Sequence, residues 1–287
     1  MMENAFIIIL FGFCGLFIGS LITYFAHRIP LKIITHWQQN SNFVSDEYKK
    51  FSLPLLSPSI CPHCYHRLSI RSLIPIYSWW QQRGLCCYCQ QAISPIYPLT
   101  ELITALLFMS LASANHDVSW LLILLFITSL LITATLIDAA HQLLPDVLTL
   151  PLMGSGIIAA LAGYSPLTLP ESVSGALFGY LLLWLPAVIF KLMCGVDGLG
   201  GGDIKLMAGF GAWLGANILP IVMLAASFSA LIFMLLFYKK IHRKHHKNKD
   251  IKNRQIAFGP FIAIVGWLAL LKDPFIIDLS ILFQALL

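Results

Sequence analysis

Residues 118–146 read VSWLLILLFITSLLITATLIDAAHQLLPD, and this stretch decides the class of fold. Its first part, 118–137, contains no charged side chain, and about 20 apolar residues are what a helix needs to cross a bilayer. Asp138 follows at once. A carboxylate beside a membrane-spanning segment is costly, so it is expected where it lines a polar cavity and has a function.

The rest of the chain repeats this apolar pattern. Of 287 residues, 58% are hydrophobic and 11% are charged, whereas soluble globular domains have about 25% charged residues. The composition therefore predicts an all-α polytopic membrane protein and excludes a soluble globular one. We predict eight transmembrane helices, at about residues 5–25, 98–114, 118–137, 147–163, 173–194, 204–217, 218–238 and 256–272.

Positive charges concentrate in two segments between the predicted helices. Segment 26–97 holds seven of the 18 Lys and Arg residues, and segment 239–255 holds eight. Because loops rich in Lys and Arg stay in the cytoplasm, both segments are predicted to be cytoplasmic and the N-terminus to be outside. Their ordinary role is to set topology and to contact lipid headgroups. Nucleic-acid binding is not expected, since segment 239–255, which holds the larger share of these charges, contains no Trp, Tyr or Phe on which bases could stack.

Four of the seven cysteines have the spacing of a metal site. Cys61 and Cys64 form one C-x2-C pair, and Cys86 and Cys89 form a second pair after 21 intervening residues. Such pairs hold Zn²⁺ tetrahedrally, and four thiolates leave no open position for a reactive water. We therefore predict a structural zinc ion. Two disulfides are the alternative, which a reducing cytoplasm disfavours.

Three neighbours are weaker candidate ligands. Cys87 could replace Cys86, although its spacing to Cys89 is poorer. His63 and His66 could also bind the metal, but solvated loop residues are their simpler interpretation.

Asp203 directly follows a run of three glycines, Gly200 to Gly202. Glycine permits positive φ and close backbone approach, so the run can hold Asp203 at a turn that enters a helix. The simple alternative is an ordinary helix N-cap, a position that Asp suits. Asp197 competes as the acidic partner, but it lies in the same loop.

Asp138 is the better partner for Asp203, because it follows a predicted span at its cytoplasmic end. The helix dipole disfavours a negative charge there, so capping does not explain it. Asp146, after Pro145, is predicted to be the N-cap of the next span. Two close carboxyls cannot easily both ionise, so one would act as base while the other keeps a proton. Which residue takes which role stays open.

Taken together, these motifs resemble one known family, the type IV prepilin peptidases of bacterial inner membranes. Besides the cysteine pairs and the aspartates, the resemblance includes three groups of residues spread along the chain. They are Gly19, Ser20, Arg28 and Pro30 near the start, Tyr97, Pro98 and Glu101 before the second span, and Phe258, Gly259 and Pro260 near the end.

The resemblance implies an aspartyl protease of the GxGD type, with Asp138 and Asp203 as its catalytic residues. Such enzymes cut the basic leader from prepilins and pseudopilins at the cytoplasmic face of the inner membrane. They then methylate the new N-terminus with S-adenosylmethionine. The sequence departs from the family at Leu21 to Thr23, and at Ile96, where Arg is usual. Cofactor-binding residues cannot be assigned from spacing.

This interpretation divides the chain into three parts. They are a first transmembrane helix at 1–25, a cytoplasmic zinc-binding domain at 26–97, and a transmembrane aspartyl protease domain at 98–287 that includes the basic loop 239–255. The competing hypotheses are a cation-coupled transporter that uses the same aspartates and a membrane-anchored zinc adaptor. No internal repeat of the kind found in transporters is evident, and an adaptor would leave the aspartates without a role.

Overall fold

The computed structural model describes residues 2–40, 61, 64, 66–67, 74–114, 117–196, 198–245 and 257–271. These residues form helices and contain no strand; the isolated bridge whose two partners are both described joins Leu85 and Ala92. The helices are α1 (Met2–Asn40), α2 (Tyr77–Gln81), α3 (Ile96–Ala114), α4 (Val118–His141), α5 (Asp146–Leu161), α6 (Leu169–Cys194), α7 (Gly201–Leu214), α8 (Leu219–His245) and α9 (Gly259–Leu271).

The helical membrane class predicted from composition is confirmed. Five helices, α1, α3, α4, α6 and α8, are long and apolar enough to cross a membrane. Helices α5 and α9 are apolar but shorter, and α7 has only 14 residues. The remaining three predicted spans overlap these short helices, so the count of eight stays a prediction.

Three helices continue past the ends predicted from hydropathy. Helix α1 runs to Asn40 rather than 25 and contains Pro30, α4 runs through Asp138 to His141, and α8 runs to His245 rather than 238. Hydropathy marks only the apolar part of a helix, whereas polar residues and alanine can extend it without breaking the hydrogen-bond ladder. The predicted domain boundaries remain untested. Much of the basic loop 239–255 lies outside the described residues, as do Asp197 and His63.

The chain forms two compact units, Met1–Ile137 and Asp138–Leu287. In the first unit α1 packs along α3. A Cβ atom on Gly15 would lie 2.7 Å from Cα of Ala105, and one on Gly19 would lie 2.7 Å from Cα of Glu101. Small residues let membrane helices approach this closely, so these glycines set the contact between the two helices.

In the second unit α7 lies among α5, α6 and α9. Every residue from 206 to 215 is buried, as expected of a helix that is apolar all round and sits inside a bundle. Two hydrogen bonds fix it: the Ser172 hydroxyl donates to the carbonyl of Ala212 at 2.7 Å, and the indole of Trp213 donates to the carbonyl of Leu152 at 2.9 Å. The helix that begins with the glycine run is therefore held on several sides.

Candidate active site and metal centre

Asp138 and Asp203 lie in the second unit, and the structure brings them together. Asp138 belongs to the last turn of α4 and Asp203 to the first turn of α7. The two side chains are buried, with exposed fractions of 5% and 8%, and their charges interact. Two neighbouring buried carboxyls favour a state in which only one is ionised. The sequence predicted these two carboxyls as an acid/base pair, and that catalytic role stays a prediction.

Neither capping nor positive φ explains the Gly200–Asp203 run. The N-cap of α7 is Gly200, with φ −70°, and Asp203 makes no side-chain cap. None of the three glycines has a positive φ. Close approach is the reason at Gly202, where a Cβ atom would collide with Cβ of Leu144. Gly202 therefore lets the segment that follows α4 lie against the first turn of α7.

Asp138 has a main-chain partner that the sequence analysis missed. The N–H of Gly259, the first residue of α9, donates to Oδ2 of Asp138 at 3.0 Å. The contact joins residues 121 positions apart, so local patterning could not reveal it. The Phe258-Gly259-Pro260 element was the one signal in the sequence.

Asp203 has a different environment from Asp138. Its Oδ1 atom is buried and has no hydrogen-bond partner among the described residues. A buried polar atom without a partner is costly, and more so when it carries charge. The two carboxyls of the pair are therefore not equivalent.

Asp146 is not the N-cap that we predicted. The N-cap of α5 is Pro145, and Asp146 is the first helical residue, with no side-chain cap. Its Oδ1 atom accepts a hydrogen bond from Nζ of Lys205 at 2.6 Å instead. The ammonium group of Lys205, in α7, thus binds the carboxylate that we expected to cap α5. Since both side chains are partly exposed, Asp146 lies outside the buried pair.

A further buried carboxylate, Glu101, lies in the first unit at the start of α3. Its Oε2 atom accepts a hydrogen bond from the N–H of Ile76 at 2.7 Å, and the side chain of Ser20 also bonds to it. Ile76 has φ 56°, a conformation that β-branched residues rarely adopt. Glu101 therefore holds the strained turn that leads into α2.

The four predicted metal ligands cluster in the same unit. The Sγ atoms of Cys61, Cys64, Cys86 and Cys89 lie within 4.8 Å of one another, and those of Cys61 and Cys89 are 3.8 Å apart. Four sulfurs about 2.3 Å from a tetrahedral zinc ion would be separated by about 3.8 Å. The cluster therefore has the size that Zn²⁺ requires, and its sulfur donors suit that metal.

Main-chain groups favour the thiolate form of one of the four cysteines, Cys86. The N–H groups of Cys89 and Tyr88 point at Sγ of Cys86 and lower the pKa of this thiol to about 7. A lower pKa favours the thiolate, which is the form that binds metal. The turn itself depends on Gly84, which has φ 69° and lies against the ring of Trp79.

The alternative ligands Cys87 and His66 do not belong to this cluster. Cys87 is exposed and lies outside the group of four. The ring of His66 stacks on Tyr88, with 3.8 Å between the ring centroids. Among the described residues, the candidate metal centre consists of the two C-x2-C pairs.

Comparison with known proteins covers nearly the whole chain. Residues 13–114 match the bacterial peptidase A24 N-terminal domain, and residues 125–235 match the type IV leader peptidase family. A prepilin leader peptidase/N-methyltransferase of Aeromonas salmonicida is 41% identical over 90% of this chain and 88% of its own length.

Proteins of the same name in two other bacteria are similarly close. The protein of Dichelobacter nodosus is 40% identical over 91% of this chain and 90% of its own length. The protein of Pseudomonas aeruginosa is 38% identical over 90% and 87%. No solved structure matches the chain.

Proposed function

The chain belongs to the type IV leader peptidase family, and we propose that it removes the leader peptide of prepilins and pseudopilins with Asp138 and Asp203. The observation that carries this proposal is the meeting of two buried carboxyls from different helices. A carboxyl pair that holds one proton supplies a base and an acid at the same time. The relatives' name supplies the substrate, which the site geometry alone does not specify.

The proposed reaction is hydrolysis of one peptide bond. The ionised carboxylate takes a proton from water, and the water oxygen attacks the scissile carbonyl carbon. The protonated carboxyl gives its proton to the carbonyl oxygen. When the tetrahedral intermediate collapses, the C–N bond breaks, the first carboxyl protonates the leaving amine, and the second carboxyl takes back a proton from a hydroxyl of the intermediate. General acid and base catalysis of this kind contributes about 10²–10⁴-fold to a rate.

The proposed topology places this chemistry at the cytoplasmic face of the inner membrane. With eight spans, the basic segments 26–97 and 239–255 share one side, and the positive-inside rule makes that side the cytoplasm. Asp138 at the end of α4 and Asp203 at the start of α7 fall on the same side. A basic leader that is not translocated would reach the pair from there.

The proposed cofactor of the first unit is a structural zinc ion held by Cys61, Cys64, Cys86 and Cys89. A closed set of four thiolates supplies folding energy rather than catalysis. These residues would thus hold the segment between α1 and α3 in one conformation. Membrane lipids contact the helices around both units.

Methylation of the new N-terminus is proposed from the relatives' names. S-adenosylmethionine would be the methyl donor. The described residues contain no glycine-rich loop between a strand and a helix, the common binding element for a nucleoside. For this reason no side chain is assigned to the methyl donor, and no step of methyl transfer is derived.

Co-expression with a prepilin tests the proposal. Mass spectrometry of the pilin N-terminus separates the outcomes, since an unprocessed leader, a free amine and a methylated amine differ in mass. We expect a processed, methylated product in cells with this chain and an intact leader in cells without it. An intact leader in both would refute the peptidase, and a processed but unmethylated product would refute the transferase. The transporter hypothesis receives no support from the comparisons.

A further inference from the structure

The contact between Gly259 and Asp138 distinguishes the two carboxyls. The main-chain N–H of Gly259 donates to Oδ2 of Asp138 at 3.0 Å. The donor is a backbone group at the first residue of α9, not a side chain. A hydrogen bond donated to a carboxylate stabilises its charged form.

The position of Gly259 adds a second stabilising effect. The N-terminal end of a helix carries partial positive charge, and α9 begins at Gly259. Asp138 itself lies at the C-terminal end of α4, where the dipole opposes a negative charge. The end of α9 therefore offsets an unfavourable position, and it does so through a direct hydrogen bond.

Gly259 is also a steric requirement. A Cβ atom at this position would lie 2.6 Å from Oδ2 of Asp138 and 2.9 Å from Cδ1 of Leu144. Contacts this short do not occur between real atoms, so any larger residue would displace the carboxyl, Leu144 or the start of α9. The backbone reaches Asp138 only because residue 259 has no side chain.

Among the described residues, no comparable donor reaches Asp203. Its Oδ1 atom is buried without a hydrogen-bond partner among the described residues. Asp203 interacts electrostatically with Asp138, and a neighbouring like charge disfavours ionisation. Lys205, two residues further along α7, is engaged by Asp146. The proton of the pair is thus expected on Asp203.

We propose that Gly259 is a positioning residue whose main-chain N–H holds Asp138 as the ionised base, so that Asp203 is the member that carries the proton. The inference rests on the proposed peptidase function and assigns the roles within it. Asp138 takes the proton of the attacking water and later gives it to the leaving amine. Asp203 protonates the scissile carbonyl and recovers a proton when the C–N bond breaks.

The first test compares Gly259→Ala with wild type as purified full-length protein and a prepilin substrate. Displacing a catalytic group by about 1 Å can cost about 10²-fold in rate. We expect kcat to fall about 100-fold while KM stays within about threefold, because the change displaces Asp138 and alters no residue assigned to substrate binding. Gly154→Ala is the matched control, since a Cβ atom there meets nothing within 4 Å. A Gly259→Ala enzyme with at least a third of wild-type kcat would overturn the proposal.

A second variant separates an effect on Asp138 from a general packing defect. Leu144→Ala removes one of the two side chains that the new Cβ atom would meet, but leaves the carboxylate of Asp138. We expect Gly259→Ala/Leu144→Ala to remain as slow as Gly259→Ala. Recovery to the rate of Leu144→Ala alone would mean that Gly259 acts through packing and would refute the assignment.

The pH dependence supplies a readout that packing would not change. Alanine keeps the main-chain N–H, but the added Cβ atom displaces it from Asp138; the weakened hydrogen bond makes ionisation of the base harder, so the acidic limb of the kcat profile of Gly259→Ala should move to higher pH. An unchanged limb in a slower enzyme would contradict the assignment.

Should Gly259→Ala fail to accumulate, the amide proton of isotope-labelled Gly259 can be followed by NMR in other variants. A hydrogen bond to a charged acceptor is the stronger one. We expect the resonance to lie downfield in wild type and in Asp203→Asn, and to move upfield in Asp138→Asn. An amide-proton chemical shift that is the same in Asp138→Asn as in wild type would refute the proposal. Full cleavage by both aspartate variants would instead refute the peptidase mechanism, so the two failures are distinguishable.

Discussion

Lys205 and Asp146 form an ion pair, with 2.6 Å between Nζ and Oδ1. The pair links the first turn of α7, which contains Asp203, to the first residue of α5. The side chains are 40% and 55% exposed, so solvent screens the attraction between them. The ion pair connects α7 to α5, but it does not include the buried carboxyls of Asp138 and Asp203.

Removing this ion pair should have a small effect. Exposed ion pairs contribute about 0–1 kcal/mol, so Asp146→Asn should lower the free energy of unfolding by less than about 1 kcal/mol and the cleavage rate by less than about fivefold. Thermal unfolding in detergent and a prepilin cleavage assay measure the two quantities. The double exchange Asp146→Lys/Lys205→Asp should restore both. A folded but inactive Asp146→Asn would place Asp146 in the chemistry.

The cysteine cluster predicts a specific loss of zinc. Purified wild type should contain about one zinc ion per chain, and Cys64→Ser should lose most of it because the closed site needs four thiolates. Elemental analysis of the purified proteins measures this. Cys87→Ser is the matched control, since Cys87 is exposed and outside the cluster, and it should keep its zinc. Equal zinc in Cys64→Ser and wild type would contradict the assignment.

The contact between α6 and α7 should not tolerate a methyl group. A Cβ atom on Gly211 would collide with the carbonyl oxygen of Gly175. Overpacking typically costs about 1–3 kcal/mol, so Gly211→Ala should lower the thermal midpoint and, by shifting α7, the cleavage rate. Gly154→Ala, which meets nothing within 4 Å, should change neither. Equal stability of the two variants would contradict this account of the packing.

Glu101 should control the turn before α2. Hydrogen bonds to charged groups contribute about 1.5–3 kcal/mol, so Glu101→Ala should release Ile76 and expose the following loop. Trypsin should then cut after Arg83, an exposed residue, faster than in wild type, and mass spectrometry can follow this site. Glu101→Gln keeps an acceptor oxygen and should protect better than Ala. Identical cleavage of all three proteins would exclude the anchoring role.

Hydropathy and cysteine spacing predicted much of the molecule. The apolar run at 118–137 marks α4 because burial in lipid favours a helix whose main-chain groups bond internally. The pairs Cys61/Cys64 and Cys86/Cys89 come together as their spacing indicated. Hydropathy does not mark the polar ends of α1 and α4, where the helices continue beyond the apolar residues.

Contacts between distant residues could not be predicted. Asp146 looked like an N-cap because Asp suits that position, but Lys205, 59 residues away, binds its carboxylate. The glycines before Asp203 suggested positive φ or close backbone approach, and the structure shows the second at Gly202, against Leu144, a partner that the sequence could not name. The donor to Asp138 is a backbone N–H, which no residue type reveals. Packing of the helices determines all three contacts.

The most direct test of the central claim measures prepilin cleavage by purified Asp138→Asn and Asp203→Asn. Asn keeps the size of the side chain but can neither accept the proton of water as a base nor donate one as an acid. If the two buried carboxyls act as one pair, each variant should lose at least about 10³-fold in kcat/KM, within the range of general acid and base catalysis, while remaining as folded as wild type. Cleavage within about tenfold of wild type by either folded variant would contradict the shared catalytic role of Asp138 and Asp203.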